Sequence, residues 1–162
     1  AILIDNRQAR IPIPIPTIAA SARIILDDLG SPEGELSVVI VDDPAMAELN
    51  AAYRHRSGAT NVMAFAMRDG EFGDLNPDLL GDVVISADTC RREAESAGVS
   101  FAWRLLELLT HGVLHLFDFD HERSEDEYQR MQARSEELLA RLAARAHEVG
   151  VEAPDPLRPE TP

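Results

Sequence analysis

The stretch HGVLHLFDFDH, His111 to His121, holds three of the chain's five histidines. His111 and His115 are four residues apart, and His121 follows six later. On a helix, residues four apart stack on one face, so two imidazoles can be aimed at one point. The side chains around them are Leu, Val and Phe, and an imidazole buried in such company needs a partner for each ring nitrogen. A metal ion satisfies one nitrogen on each ring. His121 supplies a third ligand if the helix ends and the chain turns back. Three neutral ligands with one position left open is the arrangement of a catalytic zinc, whereas structural zinc sites fill all four positions with protein. His55 and His147 lack this spacing and read as ordinary histidines.

The same spacing, H-x3-H-x5-H, occurs in the metzincin peptidases, which carry Glu directly after the first His as general base. Gly112 stands there in this chain. A zinc hydrolase acting on another substrate, such as a peptide, is therefore the lesser alternative.

The elements that must position these groups are legible along the chain. ILID reads as a first strand. IPIPIP cannot be regular helix, because each Pro removes an amide donor and restricts the residue before it. Thr17 then reads as the N-cap of an amphipathic helix ending at Gly30. ELSVVIVD, Glu35 to Asp42, begins by alternating and becomes continuously apolar, which predicts a central strand. Asp42 or Asp43 caps a second helix with Pro44 in its first turn. TNVMAFAM and GDVVIS are two more strands around a long loop rich in Gly, Asn and Pro. A helix follows from Asp88 to about Ala97. Ser100 caps the next, FAWRLLELLTHGVLHLF, which is apolar nearly all round and so belongs at the centre. SEDE, Ser124 to Glu127, is a capping box opening a last amphipathic helix whose apolar stripe includes Met131, Leu138 and Leu142.

The predicted architecture is one α+β domain over residues 1–149. Its mixed sheet of about four strands packs with helices, and the central apolar helix carries two metal-binding histidines. Residues 150–162 form a Pro-rich acidic tail, expected to be disordered.

Composition narrows the function classes. The formal net charge is −14, which opposes any whole-surface attraction to nucleic acid or anionic membrane. Every cation is Arg, so an anion site here must be built from guanidinium forks. The lone Cys90 excludes an intrachain disulfide and any zinc site made of cysteines. No apolar run reaches the length of a membrane span, and the start has no basic stretch leading into an apolar one. The cytoplasm is the expected compartment.

Taken with these elements, HGVLHLFDFDHE resembles the signature of the YbeY family of metal-dependent endoribonucleases, the ribosomal RNA maturation factors, which runs His-Gly-x-Leu-His-Leu-x-Gly-Tyr-Asp-His. LNAAYR (Leu49 to Arg54), TNVMAF (Thr60 to Phe65) and LGDVVIS (Leu80 to Ser86) follow the family's order, and Met131 and Glu137 fit its final helix. The resemblance spans about residues 36 to 140. It implies one zinc ion, or another divalent transition metal, held by His111, His115 and His121. It also implies Arg54 in a cleft that meets single-stranded ribosomal RNA, with the small ribosomal subunit or its proteins as partners. The implied roles are 3′-end processing of small-subunit RNA and ribosome quality control. His115 and Arg54 then belong to the catalytic set, the metal making hydroxide available without a Glu base and Arg54 forking onto phosphate.

The chain departs from that pattern at Asp118-Phe119, where the family has Gly-Tyr. Asp118 adds a carboxylate beside the implied metal, and three roles are open to it: general base, partner of a ligand, or a fourth ligand that closes the site. Asp120 matches the family's Asp and reads as orienting a ligand or capping the following helix. Ala64 and Ala66 replace the Ser and Pro usual in the third motif. YRHR, Tyr53 to Arg56, is the densest basic and aromatic cluster near the motifs, and Tyr53 has two readings there, base stacking or core packing. Arg56, Arg68 and Arg104 are further cation candidates for the cleft. A non-catalytic metal-containing ribosome assembly factor is the alternative to a nuclease.

Overall fold

Four strands build one sheet in the computed structural model, which describes residues 1–67, 76, 78–117 and 124–154. In chain order the elements are β1 (Ile2–Asn6), α1 (Ile15–Asp28), β2 (Glu35–Val41), α2 (Asp43–Arg54), β3 (Val62–Ala66), β4 (Leu79–Ser86), α3 (Ala87–Ala97), α4 (Phe101–Leu116), α5 (Glu125–Ala144) and the short α6 (Ala146–Val149). The sheet order is β1-β2-β4-β3, parallel except for the antiparallel β3–β4 pair. The mixed α+β domain is as expected, with β2 an inner strand, and α6 is an addition the sequence pattern did not suggest.

Strand side chains alternate between two apolar layers. Leu36, Val38, Ile40, Val62, Val83 and Ile85 point into the larger one, shared with α1, α4 and α5. Val39, Val41, Met63 and Val84 point the other way, onto Met46 and Leu49 of α2. Gly81 sits at φ 138, and a Cβ there would strike the carbonyl oxygen of Phe65 on β3. Glycine is what lets the β3–β4 pair close at that register.

Helix ends follow the expected chemistry at most positions. Asp42 Oδ1 accepts from the Ala45 amide at 3.0 Å, Ser100 Oγ from Trp103 at 3.1 Å and Ser124 Oγ from Glu127 at 3.1 Å. The helix α3 starts one residue early because Ser86, at the end of β4, is its cap. Thr17 is a correction. Pro14 and Pro16 fit in and before the first turn, so α1 begins at Ile15 and Thr17 lies inside it, buried, donating to the Gly150 carbonyl at 3.3 Å. Beyond α6, Ala153 is 3% exposed and joins the larger core together with Val149. Residues 155–162 of the expected tail lie outside the described residues.

A polar joint links the carboxyl ends of β2 and β4. Asp43 Oδ1 accepts from Ser86 Oγ and Thr89 Oγ1, both at 2.6 Å, and Asp43 Oδ2 lies 2.8 Å from Arg92. Burial raises the Asp43 pKa, but these hydrogen bonds and the Arg92 charge outweigh it and leave the carboxyl below its ordinary value. Asp28, at the end of α1, binds Arg134 at 3.1 Å and Arg141 at 2.8 Å, which fastens α5 against α1.

Candidate functional site

The helix α4 crosses β3 and β4 with ten of its sixteen residues buried, Trp103, Leu105, Leu106, Leu109 and Leu114 among them. Its close approach depends on Gly112. A Cβ there would lie 2.6 Å and 3.1 Å from the two Val83 methyls and 3.3 Å from Val62 Cγ2. This position faces the sheet, so a side chain of any length, including the Glu of a metzincin, has nowhere to go.

One polar stripe breaks the apolar surface of α4: Arg104, Glu107, His111 and His115, all intermediate in exposure. Arg104 is held by Glu93 of α3 at 2.9 Å and by Glu107 at 3.1 Å. Burial works against its charge, but the two carboxylates more than compensate and raise its pKa. Glu93 also accepts from Asn61 Nδ2 at 3.2 Å. The start of β3, α3 and α4 are thereby tied together about two turns before the histidines. Arg104, a cation candidate from the sequence, is thus spent on this structural tie.

His111 and His115 meet at the other end of the stripe. Their Nε2 atoms are 3.1 Å apart, with ring centroids at 4.7 Å and planes at 68°. Two neutral imidazoles at this distance can share one hydrogen, Nε2–H of one donating to the lone pair of the other. A metal ion would instead take both lone pairs, and tetrahedral coordination at ~2.0–2.1 Å sets ligand nitrogens roughly 3.3 Å apart. The observed separation fits that donor set with a shift of a few tenths of an ångström. Among the described residues, no third His, Cys, Asp or Glu completes a metal-binding group. His121, Asp118 and Asp120 fall in 118–123, outside the described residues, as does Arg68.

Arg54 is the last residue of α2, and its side chain is exposed. The helix α2 covers the sheet face opposite α4, so the two halves of the expected site are carried on different layers. Two features of this region were missed from sequence. The first is Asn50, 4% exposed, whose Nδ2 donates to the Gly58 carbonyl at 2.9 Å while its own carbonyl accepts from the amides of His55 and Arg56. A polar residue four after Met46, on the apolar face of an amphipathic helix, was the available signal. The second is the contact of Tyr53 with Phe65, centroids 5.2 Å apart and planes at 72°, with Tyr53 65% exposed. Core packing, one of its two sequence readings, is therefore excluded. Cys90 is fully buried, and desolvation pushes its thiol up to about 12, so it is no nucleophile.

Fold and site together define a mixed α+β domain that presents two convergent imidazoles from its buried central helix. Residues 3–143 match the family model described as Endoribonuclease YbeY. The Endoribonuclease YbeY of Geobacter metallireducens is 53% identical over 142 residues, covering 87% of this chain and 95% of the relative. That of Geobacter sulfurreducens is 51% identical over the same length and coverage. The chain belongs to the endoribonuclease YbeY family. Its fold is also that of TM1509 from Thermotoga maritima, a solution structure matching at a TM-score of 0.64 and 20% identity over 96% of this chain and 98% of that one. No described helix is long and apolar enough to cross a membrane.

Proposed function

We propose that this chain is a metal-dependent endoribonuclease that cuts single-stranded ribosomal RNA, with His111, His115 and His121 holding one zinc or similar divalent ion. In this reading it matures the 3′ end of small-subunit RNA and acts in ribosome quality control, in the cytoplasm, on the small subunit or its proteins. The observation that carries the proposal is the 3.1 Å convergence of the His111 and His115 Nε2 atoms, in a chain whose relatives at 53% and 51% identity are named endoribonucleases.

Bound there, a divalent metal supplies Lewis acidity and brings the pKa of water toward neutrality. The protein supplies the rest. Gly112 and the Asn61–Glu93–Arg104 tie hold α4 at a fixed height over the sheet, so both imidazoles need shift only a few tenths of an ångström to share an ion. Arg54 offers a two-pronged donor to the non-bridging oxygens of the scissile phosphate and balances the charge that grows on them during cleavage. Asp118 stands two residues beyond the end of α4 in sequence, and we assign it the proton from the attacking water.

The test uses a labelled single-stranded RNA with the parent protein and with Arg54→Ala and His115→Ala from matched preparations. The parent cuts internally; both variants lose about 100-fold or more. Cutting that survives in both identifies a contaminating nuclease and removes the proposal. A parent that binds metal but cuts nothing favours the non-catalytic assembly factor.

A further inference from the structure

Tyr53 is 65% exposed, an aromatic ring left open to solvent at the end of α2. Its surroundings hold it still. The edge-on contact with Phe65, 5.2 Å and 72°, sets the tilt of the ring without covering it. The turn that follows is clamped from beneath by buried Asn50, which binds the Gly58 carbonyl through its side chain and the His55 and Arg56 amides through its backbone oxygen. Within that turn His55 is kept at φ 55, the one non-glycine positive φ among the described residues. A strained conformation persists only where its surroundings over-determine it, and such strain gathers at sites that do something.

Charge distinguishes the same place. The chain has 29 acidic residues, yet from Leu49 to Met67 it has none, while Arg54, His55 and Arg56 stand in sequence directly after Tyr53. All four side chains are exposed. Asp82 is paired with Phe65 across the β3–β4 ladder. A phosphate is thus favoured on the Arg side of the ring and disfavoured on the Phe65 side.

We propose that Tyr53 is a stacking platform for one unpaired base of the RNA, the adjoining phosphate lying over Arg54 and Arg56. The occupant is single-stranded RNA, because an exposed aromatic ring can stack with any base, and bases are available for stacking only where they are unpaired. This rests on the nuclease reading of the same region and adds what the substrate does there. Tyr53 contributes binding affinity and leaves the chemical step to other residues.

The experiment compares the parent, Tyr53→Phe and Tyr53→Leu, read by anisotropy of a labelled 2′-O-methyl single-stranded RNA and by KM and kcat on a cleavable one. Tyr53→Leu keeps the apolar contact with Phe65 but loses the π face. Its affinity should fall and its KM rise by roughly 10-fold, with kcat, metal content and Tm unchanged; Tyr53→Phe should behave as the parent. Equal affinity for Tyr53→Leu and the parent overturns the proposal, as does an equal loss in Tyr53→Phe, which would assign the role to the hydroxyl. A large drop in Tm for Tyr53→Leu overturns it in favour of a structural role. A parent that binds RNA through Tyr53 yet cuts nothing leaves the platform standing and refutes the nuclease reading. A parent that neither binds nor cuts removes both.

Discussion

Gly112→Ala isolates the contact that sets the height of α4. Away from tertiary contact this change favours a helix by about 1 kcal/mol. Here the new methyl would lie 2.6 Å from Val83 Cγ1 and 3.1 Å from Cγ2. Ordinary contact begins about 0.8 Å farther out, and Val is stiff at χ1, so the helix or the sheet must move. Overpacking of this kind costs about 1–3 kcal/mol, which outweighs the helical gain and leaves a net loss of about 1 kcal/mol. Removing the obstacle should reverse the sign. Val83→Ala alone costs about 2 kcal/mol for the lost methyls, but in that background Gly112→Ala should be neutral or stabilising. The predicted coupling between the two sites is about 1–2 kcal/mol, favourable. Urea unfolding of the four proteins, with unchanged m-values, provides the measurement. Additive effects, or a Gly112→Ala protein more stable than its parent with Val83 intact, would refute the packing argument for glycine beside His111.

The Asp43 joint should be sensitive to acid. Its folded pKa lies below the ordinary 3.8, so its contribution is complete at neutral pH and fades as pH falls from about 4 through the depressed value. Asp43→Asn should therefore cost about 1–2 kcal/mol at pH 7, where Arg92 loses its partner, and progressively less as pH falls below about 4; a deficit that does not shrink on acidification would sink the assignment. His55→Gly should raise stability by up to about 1 kcal/mol, because glycine enters the left-handed region freely, and a lower Tm would mean that the His55 side chain carries an interaction worth more than the strain.

The parts of this protein that were legible in its sequence are those fixed by near neighbours. Ser100, Ser124 and Asp42 cap the helices they immediately precede, because capping is settled within three residues. The pairing of His111 with His115 follows from helical periodicity alone. The continuous apolar run of β2 was enough to put it inside the sheet. What escaped depends on partners far along the chain. Thr17 has the composition of an N-cap, but its hydroxyl is engaged by Gly150, 133 residues away. Ala153 anchors a Pro-rich segment by burying one small side chain, a contact that composition does not express. Arg104 shares a helix face with His111, and only the fold reveals that Glu93 from α3 claims it. Arg54 and the histidines come from opposite layers of the sheet, a relation that spacing along the chain does not encode.

The central claim is that the His111–His115 pair holds the ion on which catalysis depends. Stripping the protein of metal and titrating zinc back, while bound metal and RNA cleavage are followed together, tests it most directly. The account predicts no cleavage by the stripped protein and activity rising in proportion to occupancy up to one equivalent per chain. In His111→Ala and His115→Ala that equivalent should no longer bind tightly. Full cleavage by metal-free protein, or one tightly bound equivalent persisting in both variants, would contradict it.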